Sequence, residues 1–329
     1  MARKRVRDFS RDLRIFSGSS HPELAKQIAQ HLGCELCSRE FRRFSNDNLY
    51  IKLGESVRGK EVVIIQSFVP PVSDNLLELL MMLDAARSTS AKRIHAVVPY
   101  YSYARSDKKD EPHISITGRL VADLLDAAGA SHFMTMTLHS PQVHGFFRMP
   151  TDHLTARPAF IKHFRHRDLS NTIVVSPDIG HAKRAAKLAR ALGVPVAAAD
   201  KERLSDEKVR ISALIGEVTG KDVIIFDDEV ATGGSIVELV KLLHKKQVRD
   251  ITVACTHGVF SGSALERIGS IREIKEIVTT NTVPIPKEKQ IPKLTILSVG
   301  AIFGEAIRCN VMGHSVGQLF AYAQDPTKA

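Results

Sequence analysis

Short apolar runs rich in β-branched residues alternate along the chain with stretches of helical spacing. Leu13-Arg14-Ile15-Phe16 opens the pattern, and His21 to Leu32 follows with helical periodicity closed by Gly33. Val62 to Ile65, Arg93 to Val98, Phe133 to Met136, Ile173 to Val175, Val194 to Ala199, Val223 to Phe226 and Ile251 to Ala254 are mostly apolar segments of strand length, and Val223 to Phe226 is a continuous apolar run. Such runs suit parallel strands covered on both faces. Between them lie helical patterns over Ile116 to Ala128, Ala182 to Leu192 and Ile236 to Leu243. Strands alternating with helices predict an α/β protein built on mostly parallel sheets flanked by helices.

The pattern repeats. Gly59-Lys60-Glu61-Val62-Val63-Ile64-Ile65 is echoed by Gly220-Lys221-Asp222-Val223-Ile224-Ile225-Phe226. A helix with a matching Leu77-Glu78-Leu79-Leu80 or Val237-Glu238-Leu239-Val240 follows each, and then another strand, at an offset of about 160 residues. The expectation is two similar domains related by internal duplication. The first spans 1–158 and is rejoined by 315–329; the second spans 159–314.

The halves differ where the duplicated strand ends. In the second, Asp227-Asp228 leads through Ala231-Thr232-Gly233-Gly234-Ser235 into a helix; in the first, Gln66 and Ser67 replace the two acids. Glycines let backbone N–H groups approach an anion, hydroxyls add donors, and the helix start favours phosphate. Paired carboxylates repel phosphate, so they face sugar hydroxyls or a metal. Phosphate and hydroxyls together describe a phosphorylated ribose. This loop resembles the signature of the type I phosphoribosyltransferases.

Other loops follow strands, where α/β sheets place ligands. Tyr100 to Asp110 carries Arg105, Lys108 and Lys109, suited to polyphosphate or to a solvated surface. Leu138 to Phe147 carries His139, and Ser176-Pro177-Asp178-Ile179-Gly180 sets a carboxylate at a strand end. Asp200 to Asp206 reads as a charge-dense loop, and Phe41 to Tyr50 as a polar loop within a strand-like region. Gly54 to Lys60 mimics a P-loop but lacks the final hydroxyl and precedes a strand, which excludes that motif.

Composition narrows the choice. The chain has 329 residues, 43% of them hydrophobic, a mean hydropathy of −0.07 and a net charge of +10. The basic residues are dispersed and not interleaved with aromatics, so the charge suits phosphate-bearing ligands and not nucleic acid. No apolar run is long enough for a membrane helix; Glu78 interrupts the richest, Leu76 to Leu83. Met1 to Arg14 is basic, has no apolar core and carries Asp8 and Asp12, unlike a signal peptide. With only four cysteines, of which Cys34 and Cys37 read as structural, a cytoplasmic location is expected.

Taken together these segments resemble the ribose-phosphate pyrophosphokinase (PRPP synthetase) family, from about Phe16 to Phe320. The telling pieces are Gln66-Ser67, Pro99 to Arg105, Leu138 to Phe147, Val175 to Asp178 and Asp227 to Ser235. The resemblance implies transfer of the β,γ-diphosphoryl group of ATP to the 1-hydroxyl of ribose 5-phosphate, with Mg²⁺. It implies that Asp227, Asp228, Thr232, Gly233, Gly234 and Ser235 hold the sugar phosphate and that His139 and Asp178 hold Mg²⁺. Phe44, Asn46, Asn48, Arg105, Asp107 and His139 would surround ATP. Lys201 and Arg203 would close over the transferring group from a mobile loop. A homo-oligomer, a hexamer built from dimers, is also implied. Three segments depart from the family pattern: Thr137 before Leu138-His139, Phe44 to Asn48, and Ala231 to Ser235, which has one acid fewer. Ser56 and Arg58 match positions used in regulated members. Two rival readings are a phosphoribosyltransferase consuming the diphosphate sugar, which leaves the duplication unexplained, and a non-catalytic regulatory subunit.

Overall fold

The computed structural model describes residues 12–203, 209–317 and 319, with the backbone alone for 202, 203, 209 and 210. The chain forms two compact units. One contains the described residues up to Leu154 together with Gly300–Gly317, and the other Thr155–Val299.

The sheet of the first unit comprises β1 (Leu13–Ser17), β4 (Glu61–Ile65), β5 (Arg93–Val98), β6 (His132–Met136) and β7 (Thr151–Leu154), side by side in that order and all parallel. β4 and β6 are buried along their whole length, including Glu61, His132 and Thr135, as central parallel strands covered on both faces are. Helices α1 (Pro22–His31), α2 (Val72–Ser88) and α3 (Thr117–Ala128) connect the strands, and Phe16, Phe68, Leu79, Leu125 and Phe133 lie in the core. A separate antiparallel ribbon, β2 (Arg39–Arg43) with β3 (Leu49–Leu53), makes up the expected strand-like region, and the polar loop narrows to Phe44–Asn48 between the strands.

The second unit repeats this order. β8 (Thr172–Ser176), β11 (Asp222–Val230), β12 (Ile251–Gly258), β13 (Ile274–Thr280) and β14 (Leu294–Leu297) lie adjacent and parallel. Helices α5 (Ala182–Leu192), α6 (Gly234–Lys245) and α7 (Ala264–Gly269) join them. Here the second ribbon is part of the sheet: β9 (Val196–Arg203) pairs parallel with β8, and β10 (Val209–Ile215) pairs antiparallel with β9. The charge-dense segment from Asp200 is therefore strand as far as Arg203, because cross-strand pairing with β10 carries it beyond its apolar run.

The division between units lies close to expectation at the start of the second half and departs from it at the end. α4 (Arg157–Phe164) follows β7 but packs on α5 in the second unit. α8 (Gly300–Met312), placed by the repeat in the second domain, packs on α1 in the first. Two glycines make this close packing possible. A Cβ on Gly300 would meet Gln27 Cβ at 2.8 Å, and one on Gly304 would meet His31 Cδ2 at 2.6 Å. Asn310 of α8 also donates to Asp152 of β7 at 2.6 Å.

Candidate active site

β11 outruns its neighbour. β8 pairs with it only as far as Ile225, so the last residues of β11 face a gap on that side. The chain leaves β8 outward to β9 and returns to β11 on the opposite side, which makes this gap the topological switch point where α/β sheets bind ligands. Asp228, 3% exposed, projects there, while the Asp227 carboxylate accepts the Asp228 N–H at 2.8 Å. Burial, reinforced by the neighbouring charge of Asp228, raises the Asp227 carboxyl well above the ordinary carboxylate range.

The loop after β8 supplies the facing groups. Asp178 accepts the His181 backbone N–H at 2.7 Å and faces His181 Nδ1 at 2.9 Å. Burial works against its charged form, yet the bonds from His181 outweigh that and hold the carboxyl below its usual range. The same bond pushes His181 up to about 9, against the opposing effect of burial and with help from the Asp228 charge. Arg184 Nη1 lies 3.4 Å from Asp228 Oδ2. His181 and Arg184 thus bring positive charge to the acids. Neither His181 nor Arg184 is among the residues the sequence singles out.

Beyond β11 the chain turns through Thr232 and Gly233 into α6. Gly233 caps the helix with φ 75°, a left-handed conformation, and a Cβ there would meet Ile268 Cδ1 at 2.6 Å. The turn is braced from outside. The N–H groups of Phe260 and Ser261 donate to the carbonyls of Val230 and Ala231, each at 3.0 Å, and Arg267 donates to the Thr232 carbonyl. No side chain caps α6, so its first amides and the half-buried Ser235 face the mouth of the turn. This arrangement can accept a phosphate on one side and hydroxyls or a cation at the acids.

Lys201 is half-buried on β9, paired across the ribbon with Ile211, and its charge contributes to lowering Asp178. Arg203 ends β9 opposite Val209; its side chain lies outside the described residues, as does the tip of the ribbon.

The remaining expected residues lie in the first unit. Phe44, Asn46 and Asn48 form the tip of the β2–β3 ribbon. Phe44 is 50% exposed and tilted against Tyr50 at 5.9 Å, and Asn46 Oδ1 accepts the Asn48 N–H at 3.3 Å. The tip is tied down by Arg43, which pairs with Asp47 at 2.6 Å and Asp74 at 2.5 Å. Arg105 is exposed at the end of the 3₁₀ turn Ser102–Arg105 after β5, with Asp107 beyond it. His139 is half-buried in the loop after β6, which Thr137 enters at φ 47°. Ser56 and Arg58 line a separate cavity of about 420 Å³ with Lys52, Ser88 and Thr89.

Comparison with known proteins gives one consistent result. Residues 13–129 match the N-terminal domain of ribose phosphate pyrophosphokinase, and 204–321 match the phosphoribosyl synthetase-associated domain. The chain is 50% identical over 313 residues to a ribose-phosphate pyrophosphokinase of Deinococcus radiodurans, covering 94% of this chain and 98% of the relative. It is 44% identical over 313 residues to one from Caldanaerobacter subterraneus subsp. tengcongensis, covering 95% and 99%. Its fold matches the crystal structure of phosphoribosylpyrophosphate synthetase from Mycobacterium smegmatis with a TM-score of 0.86 and 38% identity, over 92% of this chain and 99% of that one.

Proposed function

The chain belongs to the ribose-phosphate pyrophosphokinase family, and from that premise we propose how its own residues carry the reaction. It is an enzyme that moves the β,γ-diphosphoryl group of ATP to the 1-hydroxyl of ribose 5-phosphate, giving 5-phosphoribosyl 1-diphosphate and AMP. The sugar hydroxyl oxygen bonds to the β-phosphorus and gives up its proton to solvent as the bond from that phosphorus to the α,β-bridging oxygen breaks, and AMP leaves with that oxygen. No protein nucleophile is needed. Catalysis rests on positioning and on charge placed where charge develops.

The observation that carries the assignment of roles is one continuous piece: a buried strand ending in Asp227-Asp228 and turning at left-handed Gly233 into an uncapped helix. The 5-phosphate sits on the first amides of α6 with the hydroxyls of Thr232 and Ser235. Asp227 and Asp228 accept the ribose hydroxyls, and Gly233 and Gly234 keep the loop close. Lys201 and Arg203 bring positive charge to the transferring group from the ribbon. Phe44 offers an exposed ring to adenine, with Asn46, Asn48, Arg105, Asp107 and His139 around the nucleotide.

The donor chemistry fits Mg²⁺, since Asp178 is held in its charged form. His139 and Asp178 would hold that ion, and when bound it offsets negative charge on the diphosphoryl oxygens. The same reading makes the protein a cytoplasmic homo-oligomer, a hexamer built from dimers. Among the described residues no helix is long and apolar enough to cross a membrane.

The test is a coupled assay following AMP from ATP, ribose 5-phosphate and Mg²⁺, with Lys201→Ala alongside. AMP formation should require the sugar and fall by about 10²–10³ in the variant. A folded protein that binds ribose 5-phosphate yet makes no sugar-dependent AMP would sink the reading.

A further inference from the structure

Thr137 stands against its own conformational preference. Its φ of 47° lies in the left-handed region, which β-branched residues rarely enter. A residue so placed persists only where its surroundings hold it. Here the turn redirects the chain. Phe133 on β6 faces the core formed with Leu79 of α2 and Leu125 of α3, and strand alternation turns Met134 and Met136 to the other side of the sheet. Plain alternation would put Leu138 with the methionines, yet Leu138 packs in the core of Phe133. The turn has thus inverted the alternation one residue before His139. Two bonds to β7 brace it. The Thr137 N–H donates to the Leu154 carbonyl at 3.0 Å, and the Leu138 N–H donates to His153 Nε2 at 2.8 Å. The first bond joins main chain to main chain, while the second depends on one side chain. An amide only donates, so His153 Nε2 carries no proton in this bond. The acceptor has a firm seat, because the preceding Asp152 ties β7 to His132 at 3.1 Å and to Asn310 at 2.6 Å. Beyond His139, His144 donates to the Thr151 carbonyl at 3.1 Å, so the loop is stitched to β7 on both sides of that residue.

We propose that His153 is a positioning residue for the reaction. By accepting the Leu138 amide hydrogen it pins the left-handed turn at Thr137, and so fixes the direction in which the next residue, His139, meets the nucleotide. His153 itself touches no substrate; it acts through its neighbour's backbone. The inference rests on the role proposed above for His139. A group misplaced by about 1 Å can cost about 10²-fold in rate, which sets the scale of the effect.

The experiment uses the full chain with His153→Phe, which keeps a ring and removes the acceptor. Without nucleotide, hydrogen exchange at the Leu138 amide should speed by at least about tenfold. In the assay, kcat/KM for ATP should fall by about 10–100-fold while KM for ribose 5-phosphate stays within about twofold. His153→Gln, whose side-chain oxygen can take the same amide, should stay within about threefold of the parent. Adding Thr137→Asn to His153→Phe should recover at least about fivefold, because Asn enters the left-handed region more readily. In a His139→Ala background, His153→Phe should add less than about twofold, as expected of two residues acting through one contact. A thermal melt of each variant verifies the fold, and His153→Leu replaces His153→Phe should the latter not fold. Unchanged exchange at Leu138, or a loss of activity equally large with and without His139, overturns the inference. Faster exchange beside a fully active His139→Ala upholds the pin and overturns instead the role proposed for His139.

Discussion

The end of β4 and the end of β11 are the same place in a duplicated fold, put to opposite uses. At the end of β4, Gln66 is fully buried and donates to Glu78 at 2.7 Å while its oxygen accepts the Ser20 N–H at 3.0 Å. Glu78 also takes the Ser19 N–H at 3.0 Å, the Ser19 hydroxyl at 2.9 Å and Arg39 at 3.0 Å. The loop after β1 is pulled onto this knot so closely that a Cβ on Gly18 would lie 2.1 Å from Gln66 Oε1. At the end of β11 the corresponding loop answers mainly to itself, through Ser176 to the Asp178 carbonyl at 2.7 Å and His181 to Asp178. The duplicated glutamate shows the divergence most simply. Glu78 is 2% exposed at its side chain, whereas Glu238 is 38% exposed and paired with Lys241 on the surface. One half closed the crevice with its own polar groups; the other keeps acids there, facing His181 and Arg184. A site can thus be lost by satisfying it internally, with the fold unchanged.

The comparison can be broken at several points. The largest effect belongs to Asp228→Asn, which should lower kcat for sugar-dependent AMP formation by about 10²–10³ while the melting temperature holds. Next, Glu78→Ala strands Arg39, Gln66 and Ser19 without their buried acceptor and should cost about 3–5 kcal/mol in urea unfolding. Glu238→Ala should stay within about 0.5 kcal/mol by the same measurement. Equal costs for these two glutamates would remove the basis of the contrast. Gly233→Ala forces a left-handed alanine against Ile268 and should cost about 1–2 kcal/mol, with KM for ribose 5-phosphate rising about tenfold and KM for ATP little changed.

The smallest effect is graded and lies at the other end of the first sheet. There His95 Nε2 faces Glu61 at 3.1 Å, its Nδ1 faces His132 at 3.2 Å, and His132 pairs with Asp152 at 3.1 Å. Burial depresses His95 below its ordinary 6.5, despite the hydrogen bond to Glu61. The unfolded chain then binds more protons as pH falls below 6.5, so stability should decline from there downward. Glu61, held below 4.5 by its bond to His95 against the effect of burial, extends the loss further into acid. Urea midpoints between about pH 7 and 4 should show the slope, and His95→Gln should flatten its upper part.

How legible each region was in the sequence follows from how local its determinants are. β11 and its turn were plain, because an unbroken apolar run ending in two acids and a glycine pair fits few local structures besides a buried strand feeding a tight turn. The β2–β3 ribbon was legible only as a strand-like region around a polar loop, and its bounds were not, because no residue of Arg39-Glu40-Phe41-Arg42-Arg43 is fully buried and no periodicity marks the strand. α8 was missed for a different reason. Gly300 and Gly304 are weak helix formers by themselves, and only the approach of α1, far away in sequence, turns them into contacts. His181 looked like one more polar residue opening a basic helix. The signal that draws it out is its alignment with His21 at the same offset as the repeated strands.

The exchange of α4 and α8 bears on how the molecule is made. The helix that follows each half's last strand completes the opposite unit, so the polypeptide is interlaced and not two beads on a string. During vectorial synthesis, α1 must wait for α8, some 270 residues later, before that flank of the first unit is covered. Truncation after residue 154 would leave an apprentice domain with a bare helix seam at α1 and a half-buried Asp152 deprived of Asn310. The duplication that produced two similar units therefore ended as a pair of co-dependent folding bodies, in which the earlier-made unit is finished by a helix that leaves the ribosome only after the body of the other.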